Sequence, residues 1–254
     1  MEKAGQVTIF IIIAVVLIAG VVAFFVLREG IDSEKTLSLE GMEVKIYVES
    51  CIEDNFLEVL DIVSLQGGYY GIPDKSIEYT LKDSNISVVV PYYYNNRKLS
   101  YPSVEMIEEE ISLAMIFLSK LCTNVSEFDF LVKIDEGRIS AQTTISKRSV
   151  SLLMRIPILV SVGESSEIFD KFELSASSHL SEFYFAALEI SENSINEEIC
   201  LNCISDILGA NNMFLESTEI EREDSVEIVY YLVDKETNNA FSFANKFFLE
   251  NEIE

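Results

Sequence analysis

The chain of 254 residues contains one histidine, His179, and no run of basic residues longer than Lys147-Arg148. A single histidine leaves little room for histidine-based metal sites or for nucleophilic triads that depend on imidazole. Cations are scarce as well: 18 Lys and Arg stand against 43 Asp and Glu, a formal net charge of −25. Such a surface does not displace counterions from phosphates, so no nucleic acid is expected as a partner. Peripheral contact with anionic lipid headgroups is disfavoured on the same ground. The G-x-S-x-G, P-loop, H-E-x-x-H and G-x-G-x-x-G patterns are all missing, and no cofactor or catalytic residue is expected. There is no internal repeat, no low-complexity tract and no acidic tail; the negative charge is spread along the chain. Its plain consequence is solubility and mutual repulsion between neighbouring molecules. Carboxylates are plentiful enough for a two-carboxylate glycosidase, but the spacing singles out no pair.

Charge is absent altogether from residues 7–27, an apolar stretch interrupted only by Thr8. About 20 helical residues cross a bilayer core of roughly 30 Å. Arg28-Glu29 follows directly, where a cleaved secretory signal would have a shorter apolar region and a small-x-small site. The stretch therefore reads as a retained anchor; a buried core helix is the weaker alternative, because the segment is apolar on every side. Residues 29–41, with Gly30 and Gly41, read as a short polar stalk. About 225 residues lie beyond the anchor, enough for one large domain or two small ones. The expected organisation is a head and transmembrane helix over 1–28, a stalk over 29–41 and an extracytoplasmic domain over 42–254.

The head, Lys3-Ala4-Gly5-Gln6-Val7-Thr8-Ile9-Phe10, resembles the class III signal of archaeal type IV pilins and pilin-like surface proteins. The resemblance implies cleavage between Gly5 and Gln6, on the cytoplasmic side, with the apolar helix kept. That helix then serves as a membrane anchor or as the packed core of a filament. Phe10 stands where many pilins carry Glu, which favours the simple anchor. The opening also resembles that of a loose group of N-terminally anchored archaeal proteins, which continue with a Val-Glu-Ser-Cys helix and a Gln-Gly-Gly turn. Here these are Val48-Glu49-Ser50-Cys51 and Gln66-Gly67-Gly68, and the likeness implies no activity. Lys3 before the apolar stretch and Arg28 and Lys35 after it leave the positive-inside count nearly even. The signal-like head places the domain outside.

Periodicity predicts an α+β domain, antiparallel strands packed with helices. Val44, Val48, Cys51, Ile52, Val59 and Val63 make one apolar face of a helix from about Glu43 to Gln66, ended by Gly67-Gly68. A second helix is expected to start near Pro102, with Val104, Ile107, Ile111, Ala114, Leu118 and Leu121 as its stripe. Alternation over Ile139–Ile145 and Val150–Val162 predicts a hairpin turning at Lys147-Arg148, with Ile145 facing Val150 and Thr143 facing Leu152. Pro157 suggests an edge strand. Helices are expected after His179 and after a Ser194-x-x-Glu197 capping box, then strands over Phe214–Ile220 and Val226–Val233. A last amphipathic segment carries Phe241, Phe243 and Phe247.

Four cysteines suit an oxidising exterior. Cys51 and Cys122 fall on the stripes of two predicted helices and are expected to bond to each other. Cys200-Leu201-Asn202-Cys203 is a C-x-x-C whose leading reading is a structural disulfide. A redox pair would need Cys200 at a helix N-terminus, and a four-cysteine zinc site usually has two such pairs. The sequons at Asn85 and Asn124 are compatible with glycosylation. Tyr92, Tyr93 and Tyr94 are read either as a patch docking sugars or another protein, or, preferred, as rings packing over the domain's own helices. The expected function is that of a single-pass surface protein with a structural, adhesive or pilin-like role and no enzymatic activity. Its partners would be membrane lipid and other surface proteins or glycans. An anchored enzyme acting on envelope polymers, such as a carboxylate-based glycosidase, is the alternative. Two converging carboxylates in a cleft would favour it.

Overall fold

A computed structural model describes residues 38–80, 87–194, 201–237 and 239–249 of the chain. The apolar stretch over 7–27 and the cleavage residues Gly5 and Gln6 lie outside them. Among the described residues no helix is long and apolar enough to cross a membrane.

The first helix, α1 (Leu39–Leu65), runs 27 residues, close to the expected span. Val44, Val48, Ile52, Val59 and Val63 are completely buried and Phe56 nearly so, the three- and four-residue repeat of one inward face. The helix ends because Gly67 and Gly68 take φ of +57° and +91°, and the Gly68 N–H returns to the Val63 carbonyl at 2.8 Å. The turn leaves no space for a side chain. A Cβ at Gly67 would lie 2.6 Å from both Pro91 Cγ and the Ser242 carbonyl oxygen.

The chain then forms β1 (Ser76–Thr80), β2 (Ser87–Asn95) and the short β3 (Lys98–Leu99). Asn96 and Arg97, at φ of +53° and +59°, make the tight turn between β2 and β3. Helix α2 (Val104–Leu118) follows, capped by Ser103, whose Oγ accepts from the Met106 N–H at 3.2 Å. A 3₁₀ turn (Ser119–Thr123) carries Cys122. Next come β4 (Leu131–Ile134), β5 (Ser140–Ile145), β6 (Ser149–Val162) and β7 (Ser165–Ser177). Helices α3 (Leu180–Glu192) and α4 (Leu201–Ala210) lead into β8 (Met213–Glu221), β9 (Ser225–Asp234) and β10 (Ala240–Phe248).

The strands form two sheets, so the domain is α+β. One sheet has the order β1-β2-β10-β9-β8, with β3 beside β2; β2 and β10 run parallel and the other neighbours antiparallel. It coils strongly, because the Tyr79 hydroxyl on β1 meets the Thr218 hydroxyl on β8 at 2.9 Å although the two strands are opposite ends of the order. Ile77, Val88, Val90, Tyr92, Val229 and Ala244 fill the hollow this makes. The other sheet is built on β6, which pairs with β7 along nearly its whole length, so β4 and β5 share its other side end to end.

The hairpin register agrees with expectation: Ile145 faces Val150, Thr143 faces Leu152 and Ala141 faces Met154. The Ser146 N–H reaches the Ser149 carbonyl across Lys147-Arg148 at 2.8 Å, a two-residue turn. Pro157 does not mark an edge. It lies in the central strand, where β5 pairing stops at Arg155, β4 pairing starts at Ile158 and the β7 register shifts between the same two residues. A proline without an N–H is tolerated there because no ladder needs its donor.

Helix α2 covers the outer edge of β5. The Thr143 N–H donates to Ser112 Oγ at 3.0 Å and the Ile145 N–H to Glu108 Oε1 at 2.7 Å. Residues four apart on the helix thus satisfy donors two apart on the strand. Glu110 Oε2 likewise accepts from the N–H groups of Tyr70 and Gly71, both at 3.0 Å. The apolar residues of α1, α2, α3 and both sheets form one contiguous cluster.

Cys51 and Cys122 are disulfide-bonded, with Cα atoms 5.7 Å apart and a sequence separation of 71. A loop of that length contributes about 4 kcal/mol in the chain-entropy account. The double variant Cys51→Ser/Cys122→Ser should therefore lose about that much in urea denaturation. Gly67→Ala should lower stability by about 2–4 kcal/mol, from the left-handed backbone together with the clash. Denaturation under oxidising conditions would test it, and a loss under about 1 kcal/mol would contradict the geometry.

Candidate functional site

The residues singled out by the sequence are dispersed. Tyr92, Tyr93 and Tyr94 are 7%, 0% and 1% exposed, so they are core side chains and not a surface patch. Each has an internal role. The Tyr93 hydroxyl donates to the Gly67 carbonyl at 3.0 Å and fastens the turn after α1. Complete burial pushes this phenol well above its ordinary pKa. Tyr94 lies against Phe247 at 5.3 Å. Tyr92 is raised by burial and by its hydrogen bond to Glu227. Burial acts against ionisation of Glu227, but hydrogen bonds from Lys246, Tyr92 and Arg222 overcome it and hold the carboxyl below its usual range. Lys246 Nζ is 2.9 Å from Glu227 Oε1 and Arg222 Nε 3.2 Å from Oε2.

Asn124 is exposed, two residues beyond the disulfide, and its backbone carbonyl accepts from the Tyr47 hydroxyl at 3.3 Å. Asn85 and Cys200 lie outside the described residues. Cys203 is disulfide-bonded rather than free. Because Cys51 and Cys122 are bonded to each other, a zinc site using all four cysteines does not exist.

The arrangement with chemical content is one that the sequence did not single out. A groove of about 440 Å³ lies between the β5–β6 turn and the outer face of α3. Ile145, Ser146 and Lys147 form one wall; Ser181, Glu182, Phe185 and Glu189 form the other, and Asn211 also lines it. The inward face of α3, Leu180, Phe183, Tyr184, Ala187 and Ile190, is buried, which turns Phe185 and Glu189 outward, while Glu182 is largely buried at the junction. The two walls are tied together where α3 begins. The Ser178 N–H donates to the Arg148 carbonyl at 3.1 Å, and Arg148 Nε lies 3.6 Å from Glu182 Oε1.

Beside this junction sits the lone histidine. His179 Nδ1 is 2.9 Å from Glu182 Oε2 and 3.6 Å from Asp234 Oδ2. Neither approach has the direction of a hydrogen bond, so these are contacts of charge when the imidazole is protonated. Among the described residues no hydroxyl or thiol is hydrogen-bonded to the ring, and the cluster lacks the nucleophile–base pair of a triad. Asp234 is 2% exposed. Burial disfavours its charge, but the N–H groups of Thr237 and Glu236, the Thr237 hydroxyl and His179 outweigh that and lower its pKa.

Glu182 and Glu189 both line the groove but project from one helix, seven residues or about 10 Å apart along its axis. Glycosidase carboxyls flank the scissile bond from two sides, some 5–9.5 Å apart. The groove offers one carboxylate-bearing wall and an aromatic ring, an arrangement for holding a ligand. Comparison with protein-family models, with curated proteins and with solved structures finds no match to this chain.

Asp234 and Glu227 both have pKa values lowered in the folded state. Each therefore adds stability that is present above its unfolded pKa and is lost as the pH falls through the folded value. Thermal midpoints should drop on acidification below about pH 4. Asp234→Asn should be less stable than the parent near neutrality and lose less on acidification. Parallel pH profiles for parent and variant would contradict the assignment.

Proposed function

We propose that the chain is a single-pass, N-terminally anchored cell-surface protein whose α+β domain faces outward in a structural, adhesive or pilin-like role. The observation that carries this reading is the Cys51–Cys122 disulfide, which joins the first helix of the domain to the turn after α2. Such bonds form and persist in oxidising compartments and are rare in reducing ones. The exposed sequon at Asn124 agrees with the same location. Residues 7–27 supply the anchor, and the Lys3–Phe10 head supplies the pilin-like signal. Phe10 in place of an acidic residue favours an anchor that works singly over a filament core.

A second reading, an anchored enzyme acting on envelope polymers, draws on the groove lined by Glu182 and Glu189. Their position on one helix face favours binding over hydrolysis.

Protease treatment of intact cells tests the first reading. Peptides from the domain over 42–254 should be released without lysis, and the mature chain should begin at Gln6 with its apolar stretch retained. A domain protected until the cells are broken would overturn the outward orientation. Intact Met1, or a cut beyond Leu27, would remove the pilin-like processing.

A further inference from the structure

We infer that the groove between α3 and the β5–β6 turn is a binding site for a neutral saccharide. This deepens the adhesive reading by naming the ligand class, and it stands on the groove alone.

Phe185 is 56% exposed, while Tyr184 and Ala186 on either side of it are buried. Its ring meets Tyr184 edge-on at 5.3 Å and otherwise opens into the groove. Ser181, Phe185 and Glu189 are spaced four apart, so they form one ridge along α3, with Glu182 beside it. An apolar ring flanked by carboxylates matches a pyranose, which has a flat C–H face and a rim of hydroxyls. The ring receives the C–H face, the exposed Glu189 carboxylate accepts from hydroxyls in strong charge-assisted bonds, and Lys147 and Asn211 offer donors to the remaining oxygens. A volume of about 440 Å³ is in the range of small-ligand sites and holds one or two sugar rings.

Charge narrows the class. The protein carries −25 and the groove two carboxylates, against Lys147 as the one cation among its described lining residues. Arg148 Nε lies 3.6 Å from Glu182 Oε1 and His179 Nδ1 2.9 Å from Oε2, so Glu182 is already partnered. Arg148 and Lys147 offset the groove's own carboxylates, so it is the protein's overall charge of −25 that disfavours uronic acids, sulfated sugars and phosphates. A purely apolar ligand would leave the polar rim unpaired and is disfavoured as well.

The test uses the full chain in phosphatidylcholine nanodiscs, which present no sugar. It is titrated calorimetrically with gluco-, manno-, galacto- and N-acetylglucosamine oligosaccharides, with oligogalacturonate as the anionic control. At least one neutral oligosaccharide should bind and oligogalacturonate should not. Phe185→Ala and Glu189→Gln should each weaken binding by about tenfold. Phe185→Tyr should retain it, and Phe117→Ala, which removes an exposed ring on α2, should leave it unchanged. Failure of every neutral sugar, binding that survives both groove variants, or binding of oligogalacturonate alone would overturn the inference. A domain shielded from protease on intact cells would refute the surface location without touching this titration.

Discussion

One helix holds the two sheets together. Near its start, the carboxylate of Glu167 on β7 reaches Gly41 of α1, where a Cβ would meet it. Near its end the Ser64 hydroxyl donates to the Ala240 carbonyl of β10 at 2.5 Å, and Gly67 lies against Pro91 and Ser242. Twenty-seven residues at 1.5 Å each give about 40 Å, the reach needed to serve both. The valine stripe of α1 belongs to the same apolar cluster as the inner faces of both sheets. Residues of α2 and α3 complete that cluster, so the three helices together shield the inner faces from water. The disulfide at Cys51 therefore sits on the element with the most to hold, and it fixes α1 to the end of α2.

Helix α2 answers a different demand. A strand such as β5 leaves backbone donors along its outer side, and unpaired edges invite association. Glu108 and Ser112 take up two of those donors, while Glu110 takes two more from the loop after α1. Polar side chains in the interior are satisfied in the same economical way. Asn245, Ser191 and Ser194 are all buried: the Ser191 hydroxyl donates to Asn245 Oδ1 at 3.1 Å, and Asn245 Nδ2 to Ser194 Oγ at 3.2 Å. With so much polar chemistry committed to structure, Phe185 and Glu189 on the outer face of α3 stand out, because both are exposed.

The groove itself is a by-product of the hairpin. Lys147-Arg148 was expected from alternation alone, and the register it imposes is the one observed. That turn reaches α3 through the Ser178–Arg148 backbone bond and the Arg148–Glu182 contact. A local turn thus becomes one wall of a cleft, and an exposed phenylalanine on the facing helix becomes its aromatic surface.

The elements with a clean period were legible from the residues: α1 with its valine repeat and glycine stop, α2, the β5–β6 hairpin, and the spans of β8 and β9. The cysteine pairing was legible too, because both thiols fell on inward stripes. Other features were decided only by the tertiary structure. The β2–β10 neighbours are parallel and some 150 residues apart, and no local pattern specifies which distant strand will lie alongside. Tyr92, Tyr93 and Tyr94 look alike as a surface patch and as a core strand, since tyrosine serves both; burial settled it, Tyr93 in the cluster shared with the helices and Tyr92 in the hollow of its own sheet. Pro157 signalled an edge by its missing donor, whereas a gap between two partner strands removed the need for that donor. Periodicity reports which face of an element turns inward, because water penalises apolar exposure locally. Which outward faces meet across a groove depends on how the elements dock, and that is a property of the packed whole.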